Sequence, residues 1–180
     1  MAYQGCCGDH AYTDAEFDRR RLIGALGLAG AGLVLPFGRI ALGAGGTDAL
    51  LLNCIDYRLT GATTQFMAKH GMAGKYDQIV LAGAALGAKN DKFPAWGQTF
   101  WEHVQVAIDL HQIRRIIVLD HRDCGAYRVI LGKDLTNQKE EYEVHAAQMR
   151  ALKANIAAKH PTLGVELLLM GLDGRVEKVA

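Results

Sequence analysis

Beyond residue 47 the apolar positions alternate between two patterns, short continuous runs and longer stretches at helical spacing. Ala49–Cys54, Gln78–Leu81, Arg114–Leu119 and Val165–Met170 are aliphatic and short, the pattern of strands buried on both faces. Between them, Thr60–His70 reads as a helix stopped by Gly71, and Gln98–His111 as a helix with Phe100, Val104, Ala107 and Ile108 on one face. Tyr142, His145, Met149, Leu152 and Ile156 recur every three or four residues and mark one face of a long helix that ends before Pro161. A glycine- and alanine-rich turn, Gly83-Ala84-Ala85-Leu86-Gly87, follows the second strand, and a loop surrounds Pro94. A short helix starts after Cys124-Gly125, and Asp173-Gly174 turns the chain into a short C-terminal strand. Strands that alternate with helices predict an α/β fold with right-handed crossovers and a mostly parallel central sheet of four to five strands flanked by helices. So small a sheet predicts a dimer that extends or covers it.

The first 46 residues have a different character. Asp18-Arg19-Arg20-Arg21-Leu22-Ile23 sets adjacent arginines directly before an apolar, glycine-rich run, Leu22 to Phe37, and small residues follow at Ala41-Leu42-Gly43-Ala44. Charged segment, apolar segment and small-residue cleavage site are the order of a secretory signal. The run is too short and too rich in glycine for a membrane span. It resembles a twin-arginine export signal, so residues 19–44 are expected to engage the twin-arginine machinery and deliver a protein of residues 47–180 to the periplasm or beyond. The alternatives are a retained N-terminal arm packed on a partner subunit of a cytoplasmic protein, or an uncleaved anchor.

Charge narrows the partners. The formal net charge is +1. Asp9, Asp14, Glu16 and Asp18 cancel Arg19, Arg20, Arg21 and Arg39, so residues 47–180 keep the same small excess. That is no electrostatic footprint for nucleic acid or an anionic membrane. Half of the residues are hydrophobic and few are aromatic, as suits a compact core of aliphatic strands.

The chemistry is concentrated at two strand ends. Cys54-Ile55-Asp56-Tyr57-Arg58 follows the first strand and His121-Arg122-Asp123-Cys124 follows the third. In an open α/β sheet the loops at strand ends converge on a crevice. Two thiolates and an imidazole delivered there make a zinc site with three protein ligands, Cys54, His121 and Cys124, and a tetrahedral ion keeps one position for water. A Cys54–Cys124 disulfide is the competing reading for an exported chain. The His121 three residues ahead of Cys124 favours metal. Asp56 can accept a hydrogen bond that orients the proton of that water, and Arg58, two residues on and on the same side of an extended segment, can hold it by a bidentate pair.

Cys-x-Asp-x-Arg at the end of the first strand, followed by His-x-x-Cys-Gly at the end of a later one, is similar to the β-class carbonic anhydrases. The order of the helix Gln98–His111, the strand after it, the Cys124-Gly125 step and the terminal strand–turn–strand is also similar, over most of residues 48–180. The resemblance implies zinc on Cys54, His121 and Cys124, Asp56 and Arg58 as a paired acid and base beside the fourth position, and a homodimer as the minimal unit. It implies reversible hydration of carbon dioxide to bicarbonate by a zinc-bound hydroxide, zinc lowering the pKa of water to about 7. It also implies that an Asp56 released by Arg58 could become a fourth ligand and shut the site. Three departures qualify it. Tyr57 stands where a small residue is usual, so Tyr57 with Gly83 and Gly125 is expected to line the pocket. The segment after the second strand lacks a common Arg-Asn pair, and Asp120 replaces a common glycine before His121, where it can accept a hydrogen bond behind the ligands. The readings left open are hydrolysis of carbonyl sulfide or carbon disulfide, and a non-catalytic zinc- or anion-binding protein of the same fold. Asp123 is expected to be a solvated or dimer-contact charge, and His70, His103, His111, His145 and His160 surface residues.

Overall fold

The computed structural model describes residues 47–180. The paired arginines, the apolar run and the expected cleavage site lie outside the described residues. Five strands, β1 (Ala49–Asn53), β2 (Tyr76–Val80), β3 (Arg115–His121), β4 (Gly164–Met170) and β5 (Val176–Lys178), form one sheet in the order β2-β1-β3-β4-β5. All neighbours are parallel except β4 and β5, which are antiparallel. The helices are α1 (Thr60–Lys69), α2 (Ala84–Gly87), α3 (Pro94–His111), α4 (Gly125–Leu131) and α5 (Gln138–Lys159). The α/β architecture expected from the sequence is borne out.

The parallel strands β1, β3 and β4 are covered on both sides, which explains their apolar runs. Leu50, Leu52, Ile116, Val118, Leu167 and Leu169 point to one face, where α3 brings Phe100, Val104 and Ala107, and α5 brings Ala146, Met149, Leu152 and Ile156. The alternate residues Ala49, Leu51, Ile117, Leu119, Leu168 and Met170 point to the other face, under Met67 of α1 and Leu59. Long helix α5 carries the periodic face read from the sequence, but His145 on that face is fully buried, not a surface residue.

Three element ends differ from the sequence pattern for identifiable reasons. β2 begins at Tyr76 because Tyr76 and Asp77 pair with Ala49 and Leu50; as an edge strand it is polar enough to hide its first residues from hydropathy. α3 begins at Pro94, whose missing N–H costs nothing in a first turn, and the Asn90 side chain accepts from Phe93 N at 2.7 Å just ahead of it. β3 runs on through Asp120 and His121 because β4 continues beside it, Asp120 opposite Leu169 and His121 opposite Met170.

That extension positions the site. β1 lies between β2 and β3, so from β1 the chain first winds one way to β2, then crosses back and continues through β3 to β4. Sheets of this order place their crevice between the first and third strands. Leu169, fully buried against both the strands and α5, tests the packing: Leu169→Ala should cost about 2–5 kcal/mol of unfolding free energy in urea denaturation.

Candidate metal centre

β1 and β3 pair from Ala49–Arg115 to Asn53–Leu119, and there β1 stops. Asn53 anchors the stop: its side chain donates to the Cys54 carbonyl at 3.0 Å and accepts from Gln78 on β2 at 2.8 Å. The chain therefore leaves at Cys54 while β3 continues for two residues beside it, which sets His121 against the start of the β1 loop. Cys124 lies three residues on, at the N-cap of α4, with its carbonyl accepting from Tyr127 N at 3.1 Å.

The sulfurs of Cys54 and Cys124 are 3.9 Å apart, and the ligand atoms of Cys54, His121 and Cys124 all lie within 4.8 Å of one another. Two sulfurs each about 2.3 Å from a tetrahedral ion stand about 3.8 Å apart, so the spacing suits zinc without rearrangement. The imidazole is prepared in the same sense. His121 Nδ1 lies 2.8 Å from the Arg122 carbonyl, which can only accept, so Nδ1 carries the hydrogen and Nε2 the lone pair. Nε2 is buried and has no hydrogen-bond partner among the described residues. A buried acceptor without a partner is costly, and a cation there removes the cost.

The thiols are polarised against one another. Cys54 accepts from Gly83 N at 3.3 Å, and its pKa is lowered, first by the hydrogen bond from the Cys124 thiol and further by His121 and that backbone N–H. The Cys124 thiol is raised because it gives its hydrogen to the Cys54 sulfur and is buried. Burial opposes charging of His121, but the negative charge of the neighbouring Cys54 sulfur and of Asp56, with the Arg122 carbonyl, outweighs it and raises its pKa. Without a cation the Cys124 thiol keeps a proton that a metal must displace.

Gly83 is held by a tight turn. Its φ is +77°, Ala84 follows at +37°, and a Cβ on Gly87 would stand 2.3 Å from the Ala82 carbonyl oxygen. The segment that reads as a turn is the one-turn helix α2, and Asp120 secures it by accepting from Ala85 N at 2.9 Å. The other Asp120 oxygen accepts from His145 Nδ1 at 2.8 Å and from the Tyr127 hydroxyl, all three side chains being fully buried. Burial and the neighbouring carboxylate push the Tyr127 phenol up, so it keeps its proton and donates. This is the support that the missing Arg-Asn pair left open, rebuilt from β3, α4 and α5. His145 was the part least visible in the sequence, because one histidine on an apolar helical face gives no sign of its partner.

Asp56 and Arg58 form the expected bidentate pair, Nε to Oδ1 at 2.9 Å and Nη2 to Oδ2 at 2.7 Å, on a single 3-10 turn, Tyr57–Leu59. The Arg58 guanidinium holds the Asp56 carboxyl down at about 2, against a smaller opposing effect of burial. Asp56 Oδ2 lies 3.8 Å from His121 Nε2. Arg58 also bonds Asp123, which the sequence reading left as a solvated or dimer-contact charge. Next to the cluster opens a cavity of about 630 Å³ whose walls include Cys54, Asp56, Tyr57, Phe93, Trp96, Cys124 and Gly125. Tyr57 is 85% exposed and borders this cavity without filling it. Gly83 is not one of its walls; it acts through its N–H on Cys54.

The family described as "Putative carbonic anhydrase" matches residues 45–180. An uncharacterized protein of Rickettsia conorii is 40% identical over 133 residues, covering 73% of this chain and 72% of its own. One of Rickettsia bellii is 37% identical over 133 residues, covering 73% and 81%. Among solved structures, the β-carbonic anhydrase CafD of Aspergillus fumigatus superposes with a TM-score of 0.50 at 15% identity, over 81% of this chain and 94% of that one. The likeness is one of fold.

Because the Cys124 thiol is shifted toward its protonated form, zinc binding at neutral pH should release about one proton or more, and affinity should fall as pH falls. Calorimetry in buffers of different ionisation enthalpy measures this; binding without proton release would contradict thiolate ligation.

Proposed function

From its membership of the carbonic anhydrase family, we propose that this chain catalyses the zinc-dependent reversible hydration of carbon dioxide to bicarbonate. The observation that carries the reading is the buried His121 Nε2, without a partner among the described residues, clustered with two cysteine sulfurs beside a paired aspartate and arginine. Cys54, His121 and Cys124 would hold the zinc, which supplies Lewis acidity and a water acidified to a pKa of about 7.

The chain's own groups supply orientation and exclusion. Asp56, ionised at any neutral pH, accepts a hydrogen bond from a water in front of the cluster and so turns an oxygen lone pair toward the cavity. A carboxylate with a pKa of about 2 does not store a proton at pH 7, so Asp56 orients and the proton leaves by another route. Arg58 keeps the carboxylate facing outward with two bonds and adds a positive charge near the cavity, where an anionic product forms. Ile55, Ala82, Val129 and Ile130 line an apolar wall, which favours an uncharged linear substrate over its charged product.

The same reading includes a homodimer as the working unit. Ile55, Tyr57 and Val129 stand exposed around the cavity, and large apolar side chains grouped in this way are suited to burial by a second copy. Export through residues 19–44 places the enzyme outside the cytoplasm, a reading supported by the adjacent arginines and the apolar run alone. Carbonyl sulfide or carbon disulfide is the second reading for substrate, since the apolar wall suits either.

Stopped-flow carbon dioxide hydration by protein of measured zinc content tests the proposal. Turnover should vanish on zinc removal and return on its replacement. Asp56→Asn should lower kcat/KM by about 10² or more across roughly pH 6 to 9, with no recovery at either end. Turnover that is absent from zinc-loaded protein, or unaffected by Asp56→Asn, would contradict it.

A further inference from the structure

Arg58 does not serve Asp56 alone. Its Nη1 donates to Asp123 Oδ2 at 2.8 Å and its Nη2 to the Asp123 backbone carbonyl at 2.9 Å. One guanidinium therefore ties the loop after β1 to the loop after β3. An arginine with 35% of its side chain exposed would be a weak and mobile partner if it faced only one carboxylate. Here four atoms of two other residues fix its plane.

Asp123 is itself placed, not merely nearby. Its φ of +55° is left-handed, a conformation that aspartate tolerates better than most residues. Its N–H donates to Glu141 Oε1 at 2.5 Å. Glu141 is buried on α5, and its second oxygen accepts from Arg122 Nη1 at 3.2 Å, while Arg122 Nη2 reaches Glu177 on β5 at 2.6 Å. A buried carboxylate bonded at both oxygens has one orientation, so the loop is fixed from the core outward.

What this fixing protects is the position of Asp56. Its Oδ2 is already 3.8 Å from His121 Nε2, so a small swing would bring it to a cation held by the cluster. A carboxylate so near a divalent ion with an open position moves onto it unless another cation holds it away. We propose that Asp123, seated by Glu141, is a positioning residue that keeps Arg58 on Asp56 and so keeps Asp56 out of the fourth position of the metal. The inference rests on the metal-centre reading above.

The test uses protein loaded with cobalt(II) in place of zinc, whose visible bands report entry of added azide into the open position. Asp123→Gly removes the carboxylate and also relieves the left-handed backbone, so loss of the contact is separated from strain. It should raise the half-saturating azide concentration about tenfold or more. Adding Asp56→Asn to Asp123→Gly should return it to within about threefold of the Asp56→Asn variant alone. Asp123→Asn keeps an acceptor for Arg58 and should stay within about threefold of the unaltered protein. Unchanged azide binding in Asp123→Gly overturns the proposal and leaves the metal reading standing. So does a loss that Asp56→Asn fails to reverse. An unaltered protein that takes up no cobalt overturns the metal reading, and the proposal with it.

Discussion

The structure depends on a mismatch in length between two paired strands. β1 and β3 share a ladder up to Asn53 and Leu119, after which β3 alone continues, held by β4. One strand's loop therefore begins where the other strand still has a fixed backbone, and Cys54 meets His121 with no loop needing to fold back. Equal lengths would send both loops out together and leave the site to their flexibility. The order β2-β1-β3-β4 adds that the chain winds away on both sides of this point, which opens the crevice.

Around the cluster the polar groups divide into those satisfied by protein and those left for something else. Asp120 takes three donors from α2, α4 and α5, and Glu141 takes two from the loop after β3. Both carboxylates are almost fully buried, and each holds a backbone N–H at the crevice directly, Asp120 that of Ala85 and Glu141 that of Asp123. Among the described residues two buried ring nitrogens have no partner, His145 Nε2 and His121 Nε2, and only His121 Nε2 stands with the two cysteine sulfurs. Buried polar networks are stable when complete. At the cysteine cluster this one is left open at His121 Nε2, where a cation would stand.

Much of this was legible because it is local. Unbroken aliphatic runs mark doubly covered strands, and Cys54, Asp56, Arg58, His121 and Cys124 sit at their ends within two short motifs. What was not legible depends on partners far along the chain. Asp123 reads as a surface charge until Arg58, 65 residues earlier, is placed against it. Glu141 sits one turn of helix from His145 on a segment whose polar residues look solvated, and both are buried by the loop and strand they serve. The end of β3 was missed because Asp120 and His121 are polar, and the length of β4, not their own propensity, keeps them in the sheet. Local pattern identified the candidate ligands; the residues that aim them required the tertiary structure.

The central claim is that Cys54, His121 and Cys124 hold zinc together. X-ray absorption at the zinc edge of the zinc-loaded protein tests it most directly. The account predicts two sulfurs at about 2.3 Å and lighter nitrogen or oxygen scatterers at about 2.0–2.1 Å, with one sulfur lost in Cys124→Ser. A shell of light atoms alone, or one that Cys124→Ser leaves unchanged, would contradict it.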